Sequence, residues 1–198
     1  MIIWINGAFG AGKTTAAFEL HRRLADSFVY DPENVGYFIR RNAPESFSKG
    51  DFQDFPLWRE TNYKMLKMIS EQYKGIIIVP MTLVEPGYFN EIIGRLREDG
   101  TQVRHFILWA SRETILRRLR LRLSHIFRGD TFAVRSIDRC LYAFENYITE
   151  GRIDTDHMDV DAVVGEIARR CGLILSPERR PRIVRMFHRY WTLLKHIR

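Results

Sequence analysis

An α/β fold with a five-stranded parallel sheet flanked by helices is the class the sequence predicts, and three observations carry it. Short β-type runs alternate with longer helical stretches, the rhythm of strand–helix–strand crossovers. The first run opens into Gly7-Ala8-Phe9-Gly10-Ala11-Gly12-Lys13-Thr14, which fits the phosphate-loop pattern G-x-x-x-x-G-K-[ST] between a strand and an Ala-rich helical start. The third run, Ile76-Ile77-Ile78-Val79-Pro80-Met81, is apolar throughout, as a central parallel strand covered on both faces requires.

In chain order, strands are expected at Ile2–Ile5, Phe28–Tyr30, Ile76–Met81, Val103–Trp109 and, weakly, Arg152–Thr155. Helices are expected at Lys13–Leu24, from Pro56 at a first-turn position to Tyr73, and at Tyr88–Glu98, Arg112–Leu123, Val134–Ile148, Val160–Cys171 and Pro181–Ile197. Gly75 fits a helix C′ residue ahead of the third strand.

At 198 residues, 45% of them hydrophobic and 28% charged, the chain suits one compact domain without disordered or low-complexity stretches. Cys140 and Cys171 make neither a disulfide framework nor a metal site, and no signal-peptide pattern is seen, so a cytoplasmic location is expected. No apolar run approaches the ~20 residues of a transmembrane helix. Residues 179–198 hold seven Lys/Arg and no acid; subtracting these from 31 basic residues leaves 24 against 24 acids in 1–178, so the net charge of +7 sits wholly in the last segment. A neutral body offers no basic stripe for tracking nucleic acid, and none is expected as a partner.

The loop sets nucleotide chemistry. Its glycines let backbone N–H groups curl around phosphates, the helix N-terminus adds a positive dipole end, and Lys13 reaches the β and γ phosphates. Thr14 can ligate magnesium and Thr15 completes the cradle, so the implied cofactors are ATP and Mg2+. The N-K-x-D and D-x-x-G strings of GTPases are absent, which leaves a P-loop NTPase fold of the nucleoside- and nucleotide-kinase kind. The arginine-rich stretch from Ser111 to Arg122 resembles the lid entry of such kinases, with Arg118 and Arg122 one turn apart to neutralise transferring phosphate charge. A solvated basic helix face is the alternative reading.

Asp31 ends the second strand at the carboxyl edge, where open α/β sheets place ligands. A carboxylate there can take the proton of a hydroxyl attacking the γ-phosphate, although Asp31-Pro32 is equally a turn pattern. Gln53 offers the donor and acceptor that a uracil edge asks for, and Phe52, Phe55 or Trp58 can stack on the ring or belong to the core. Arg59 and Thr82 complete the expected substrate-side set. The third strand ends Val79-Pro80-Met81-Thr82 and lacks the acid that often helps hold magnesium, leaving Thr14, phosphate oxygens, water and Asp31 for the ion. The run Asp154-Thr155-Asp156-His157-Met158-Asp159 reads as helix capping more readily than as a carboxylate site, and the six histidines have no metal-ligand spacing.

The segments MIIWINGAFGAGKTTAAFELHRRL, VYDPENVG, DFQDFPLWR, GIIIVPMTLVEPGYFNEIIGRLREDG, SIDRC and LLKHIR together resemble the tunicamycin-resistance ATP-binding proteins of bacteria, over nearly the whole chain. The phosphate loop is common to many families; DFQDFPLWR and VPMT are what narrow the resemblance. It implies a kinase-like domain at 1–178 with a lid near 118–134, a loop at 154–159 closing over adenine, and protection of the cell from tunicamycin, a uridine-containing nucleoside antibiotic with a fatty acyl chain. Three readings stand: phosphorylation of the antibiotic, ATP-dependent sequestration without transfer, and a housekeeping nucleoside or nucleotide kinase.

Residues 179–198 are predicted to form a basic amphipathic helix. Ile183, Val184, Met186, Phe187, Tyr190, Trp191, Leu193, Leu194 and Ile197 fill one half of its wheel, and Arg182, Arg185, His188, Arg189, Thr192, Lys195 and His196 the other. Such a helix either docks on its own domain or lies peripherally on the anionic inner face of a membrane.

Overall fold

The computed structural model describes residues 1–44, 46, 50–123, 131–178, 180–181 and 184, with the side chains of 121–123 and 131–133 outside that description. The expected C-terminal helix and much of the expected lid therefore lie outside the described residues.

Strand β1 (Ile2–Asn6) leads through the loop into α1 (Lys13–Arg23), then β2 (Ser27–Val29), α2 (Glu33–Asn42), a 3-10 turn at Phe52–Asp54 and α3 (Pro56–Gln72). Next come β3 (Ile76–Pro80), the short helices α4 (Pro86–Phe89) and α5 (Arg95–Glu98) joined by a π turn at Asn90–Gly94, and β4 (Val103–Trp109). The chain continues with α6 (Arg112–Leu123), α7 (Thr131–Asn146), β5 (Arg152–Asp154) and α8 (Val160–Cys171). All strand pairs are parallel, in the order β2-β3-β1-β4-β5.

The most apolar strands take the middle. Every residue of β1 is buried, and Ile2 is paired with Ile77 of β3 on one side and Val103 of β4 on the other. Alternation then divides the core. Ile2 and Trp4 face a cluster with Trp58 and Leu66 of α3, while Ile3 and Ile5 face Ala17 and Leu20 of α1 and Val164 and Ile167 of α8. A third cluster joins Ile107 to Ile115 of α6 and Ile137 and Phe144 of α7. Since every strand runs the same way, the phosphate loop, Asp31, Thr82, Ser111 and Thr155 all follow strand C-termini along one edge.

Two local expectations are corrected. Helix α2 was not expected, because Asp31-Pro32 reads as a turn and Gly36-Tyr37-Phe38-Ile39 has weak helix propensity. The helix forms because Asp31 Oδ1 accepts from Glu33 N–H at 3.0 Å and because bare Gly36 admits the Phe52 ring, which a Cβ there would meet at 2.6 Å. Gly75 is not a helix C′ residue: α3 ends at Gln72 with extended Tyr73 as its cap, and Gly75 is needed because a Cβ would lie 2.6 Å from the Asp26 carbonyl oxygen.

Candidate functional site

The cradle is built from backbone. Gly7 has φ 146°, a conformation L side chains rarely adopt, and a Cβ on it would lie 2.8 Å from the Leu108 carbonyl oxygen, so only glycine fits. Gly12 precedes α1 in a left-handed conformation without a side-chain cap, and no acid sits in the first turn. The first N–H groups of α1, at Lys13, Thr14 and Thr15, thus open an anion site, with no acid in the first turn of the helix itself. Lys13 Nζ donates to the carbonyls of Gly7 and Ala8, at 3.0 Å each, which holds the ammonium inside the curve of the loop. Thr82 hydroxyl donates to the Gly7 carbonyl at 2.8 Å, joining the end of β3 to the loop.

One continuous cavity of about 760 Å³ connects this cradle to the sheet edge. Phe9, Gly10, Ala11, Gly12, Lys13, Thr14 and Thr15 line its loop side, with Arg118, Thr155 and Met158 beside them. Its other side carries Asp31, Glu33, Tyr37, Arg40, Asp51, Phe52, Gln53 and Thr82. Of the expected substrate-side residues, the cavity thus gathers Asp31, Phe52, Gln53 and Thr82.

Phe55, Trp58 and Arg59 do not line it, because Pro56 starts α3 so that the first turn faces inward. Trp58 is wholly buried, its Nε1 donating to the Pro32 carbonyl at 3.0 Å and its ring 5.5 Å from that of Phe52. Arg59 donates to Glu91 Oε2 and to the Gln53 carbonyl, both at 2.6 Å, and Phe55 packs against the core. These three form the layer beneath the cavity wall: Trp58 backs Phe52, and Arg59 fixes the main chain of buried Gln53.

Asp31, one residue ahead of the Pro32 N-cap, has a structural task in accepting the first N–H of α2, yet lies on the cavity wall. Asp51 Oδ1 accepts from Gln53 N–H at 3.0 Å, and burial raises the Asp51 carboxyl above its usual range. The Arg40 guanidinium stands 5.3 Å from the Phe52 ring centroid, covering the aromatic wall with positive charge. Glu33, Tyr37 and Arg40 were missed by sequence reasoning because α2 itself was missed; the Asp31-Pro32-Glu33 start pattern was the available signal.

Arg118 donates through Nη1 to the Ala11 carbonyl at 3.3 Å and the Thr155 hydroxyl at 3.1 Å, and through Nη2 to the Thr155 carbonyl at 2.6 Å. It therefore clamps the loop to the turn after β5. Arg122 lies on α6 one turn further on, with its side chain outside the described residues. In the 154–159 run Asp159 caps α8, accepting from Ala162 N–H at 2.8 Å, while Asp156 accepts from Ser111 N–H at 2.9 Å after β4 and Asp154 accepts from Asp156 N–H at 3.1 Å within the turn. Away from the cavity, carboxylates of Glu19, Asp161 and Glu178 come within 4.8 Å of one another, but Arg22 and Arg180 pair with Glu19 and Glu178, which makes an ion-pair cluster rather than a cation site.

Comparison with known proteins bears on family and fold. The AAA domain family matches residues 2–146. A solved tunicamycin resistance protein from Deinococcus radiodurans is 33% identical, covering 89% of this chain and 98% of its own, with a TM-score of 0.75. Shikimate kinase from Bacteroides thetaiotaomicron (19% identity, 87% and 99% covered, TM-score 0.55) and deoxyadenosine kinase from M. mycoides (17%, 87% and 99%, 0.53) share the fold. A comparison with curated protein sequences finds no match. No helix among the described residues is long and apolar enough to cross a membrane.

Proposed function

This chain belongs to the AAA domain family and, with its Deinococcus relative, to the tunicamycin resistance proteins, and from that premise we propose that it binds ATP with Mg2+ and phosphorylates a hydroxyl of tunicamycin. The observation that carries the reading is the continuity of the cavity, which joins the phosphate loop to a wall bearing Asp31, Phe52 and Gln53. When bound, ATP supplies the γ-phosphoryl group. The N–H groups opening α1 and the Lys13 ammonium neutralise phosphate charge, and the Thr14 hydroxyl is a ligand for magnesium. Asp31 accepts the proton of the acceptor hydroxyl. Arg118 closes the nucleotide end against Thr155, with Arg122 as the second lid arginine. Gln53 pairs with the uracil edge beside Phe52, while Phe55, Trp58 and Arg59 hold that wall in place.

A second reading, sequestration without transfer, is favoured by one feature. The end of β3 offers Pro80, Met81 and Thr82 where an acid would help hold magnesium, and the Thr82 proton is already directed to Gly7. Mass spectrometry of tunicamycin incubated with the protein, ATP and magnesium separates the two. One added phosphoryl group is expected; retained but unmodified drug selects sequestration, and drug neither retained nor modified removes both.

The basic segment 179–198 is proposed to make peripheral contact with anionic lipid, where an acylated antibiotic would concentrate. On this reading the protein works in the cytoplasm, with access to the inner membrane face.

A further inference from the structure

Asn6 ends β1 and is wholly buried. Its carboxamide uses both ends. Oδ1 accepts from Gly7 N–H at 2.8 Å and Leu83 N–H at 2.9 Å, and Nδ2 donates to the Leu83 carbonyl at 2.8 Å. The two Leu83 contacts settle which end is oxygen, because an N–H needs an acceptor and a carbonyl needs a donor. Nδ2 then directs its remaining N–H to Nε2 of His105, 3.1 Å away, so that nitrogen must present a lone pair. The imidazole is neutral, with its proton on Nδ1.

The surroundings of His105 agree. Its side chain is wholly enclosed, Phe89 meets the ring edge-on at 5.0 Å, and burial pushes its pKa down to about 4. Nδ1 lies 3.4 Å from Glu150 Oε1 without hydrogen-bond geometry, and the Glu150 carboxylate and main chain draw the pKa up less strongly than burial lowers it. Glu150 is itself paired with Arg97 at 2.5 Å, and these two are the charged groups that face the ring among the described residues. Through Asn6 this buried ring touches the working parts of the site. Gly7 opens the phosphate loop, its carbonyl accepts from Thr82 and Lys13, and Leu83 is the chain neighbour of Thr82.

We propose that His105, as the neutral Nδ1–H tautomer, is a positioning residue for the phosphate loop: its Nε2 lone pair orients the Asn6 amide, and Asn6 sets Gly7 and Thr82 in place for phosphate binding. This rests on the nucleotide-binding reading above. An imidazole with its proton on Nε2 would meet the Asn6 N–H donor with a second donor, turn the amide and withdraw the acceptor from Gly7 and Leu83.

The test combines a spectrum with two substitutions. Nitrogen NMR of the labelled protein near neutral pH is expected to show His105 with a pyridine-type Nε2 and a pyrrole-type Nδ1; the reverse assignment overturns the proposal. His105→Gln keeps an acceptor near the Nε2 position and His105→Leu removes it. With folding checked by circular dichroism, affinity for a non-hydrolysable ATP analogue with magnesium is expected to fall about five- to tenfold in the Leu variant and to stay within about twofold in the Gln variant. Wild-type affinity in a folded Leu variant sinks this proposal alone, whereas a wild-type protein that binds no nucleotide removes the nucleotide reading and this proposal with it. Should the Leu variant fail to fold, His105→Met serves in its place: its flexible apolar side chain also offers Asn6 no nitrogen lone pair, and wild-type affinity in that folded variant counts against the proposed coupling.

Discussion

Arg118 and Thr155 are joined twice, through the threonine carbonyl at 2.6 Å and its hydroxyl at 3.1 Å, and a third contact carries the same guanidinium to Ala11 of the phosphate loop at 3.3 Å. A planar fork is needed to reach three acceptors in different directions, and a lysine ammonium on a thinner stem cannot replace it. Both Arg118→Lys and Arg118→Ala are therefore expected to weaken nucleotide binding, the latter about tenfold, as charged hydrogen bonds are lost. Calorimetric titration with an ATP analogue checks this; a Lys variant that binds like wild type would show that charge alone matters there.

The sheet was largely legible because its signals are local. An unbroken apolar run made β3, and the strand–loop–helix pattern fixed β1, the cradle and α1. What escaped was set by contacts far apart in the chain. Helix α2 is completed by Phe52 settling against Gly36, which the local Asp31-Pro32-Glu33 start pattern alone does not reveal, and with it went Glu33, Tyr37 and Arg40 on the cavity wall. Trp58 looked like a stacking residue because aromatic character is visible in sequence and direction is not; the turn set by Pro56 points it at the Pro32 carbonyl.

Lys13→Ala is expected to lower ATP affinity by about a hundredfold or more, since the ammonium lies within the loop, 3.0 Å from two of its carbonyls, whereas Arg118 reaches the loop at Ala11 and is engaged by Thr155. Unchanged affinity would remove the nucleotide assignment.

Asp31 carries two tasks that substitutions can separate. Asn retains an acceptor for Glu33 N–H but cannot take a proton, so Asp31→Asn should keep ATP binding and fold stability while abolishing transfer; Asp31→Ala should in addition cost about 1 kcal/mol by leaving the first N–H of α2 without its acceptor. Denaturant melts and transfer assays on both variants check it. Normal transfer by the Asn variant would return Asp31 to that acceptor role alone.

For the last segment, liposome flotation compares the whole protein with a chain ending at Pro177. Arg180 pairs with Glu178 at 3.0 Å and with Glu19 at 3.3 Å, so the start of the segment is tied to the body whatever follows it. Binding of the whole protein to acidic vesicles at low salt, lost at high salt and in the shortened chain, is the expected result. Equal flotation of both chains would remove the segment from membrane contact.

Acid stability should report on His105. Its ordinary pKa of 6.5 applies in the unfolded chain, whereas burial lowers it to about 4 in the fold. Between those values the unfolded state binds a proton that the folded state refuses, so stability is lost as pH falls from 6.5 and the loss levels off below 4. The full effect is bounded at about 3 kcal/mol, and about 2 kcal/mol of it falls between roughly pH 7 and pH 5. His105→Gln has no such titration. Urea unfolding at the two pH values, with wild type and variant side by side, should give the wild type the steeper loss by that amount. Equal losses would mean that His105 accepts its proton in the folded protein as readily as in the unfolded chain, which the enclosed ring and the Asn6 donor at 3.1 Å both oppose.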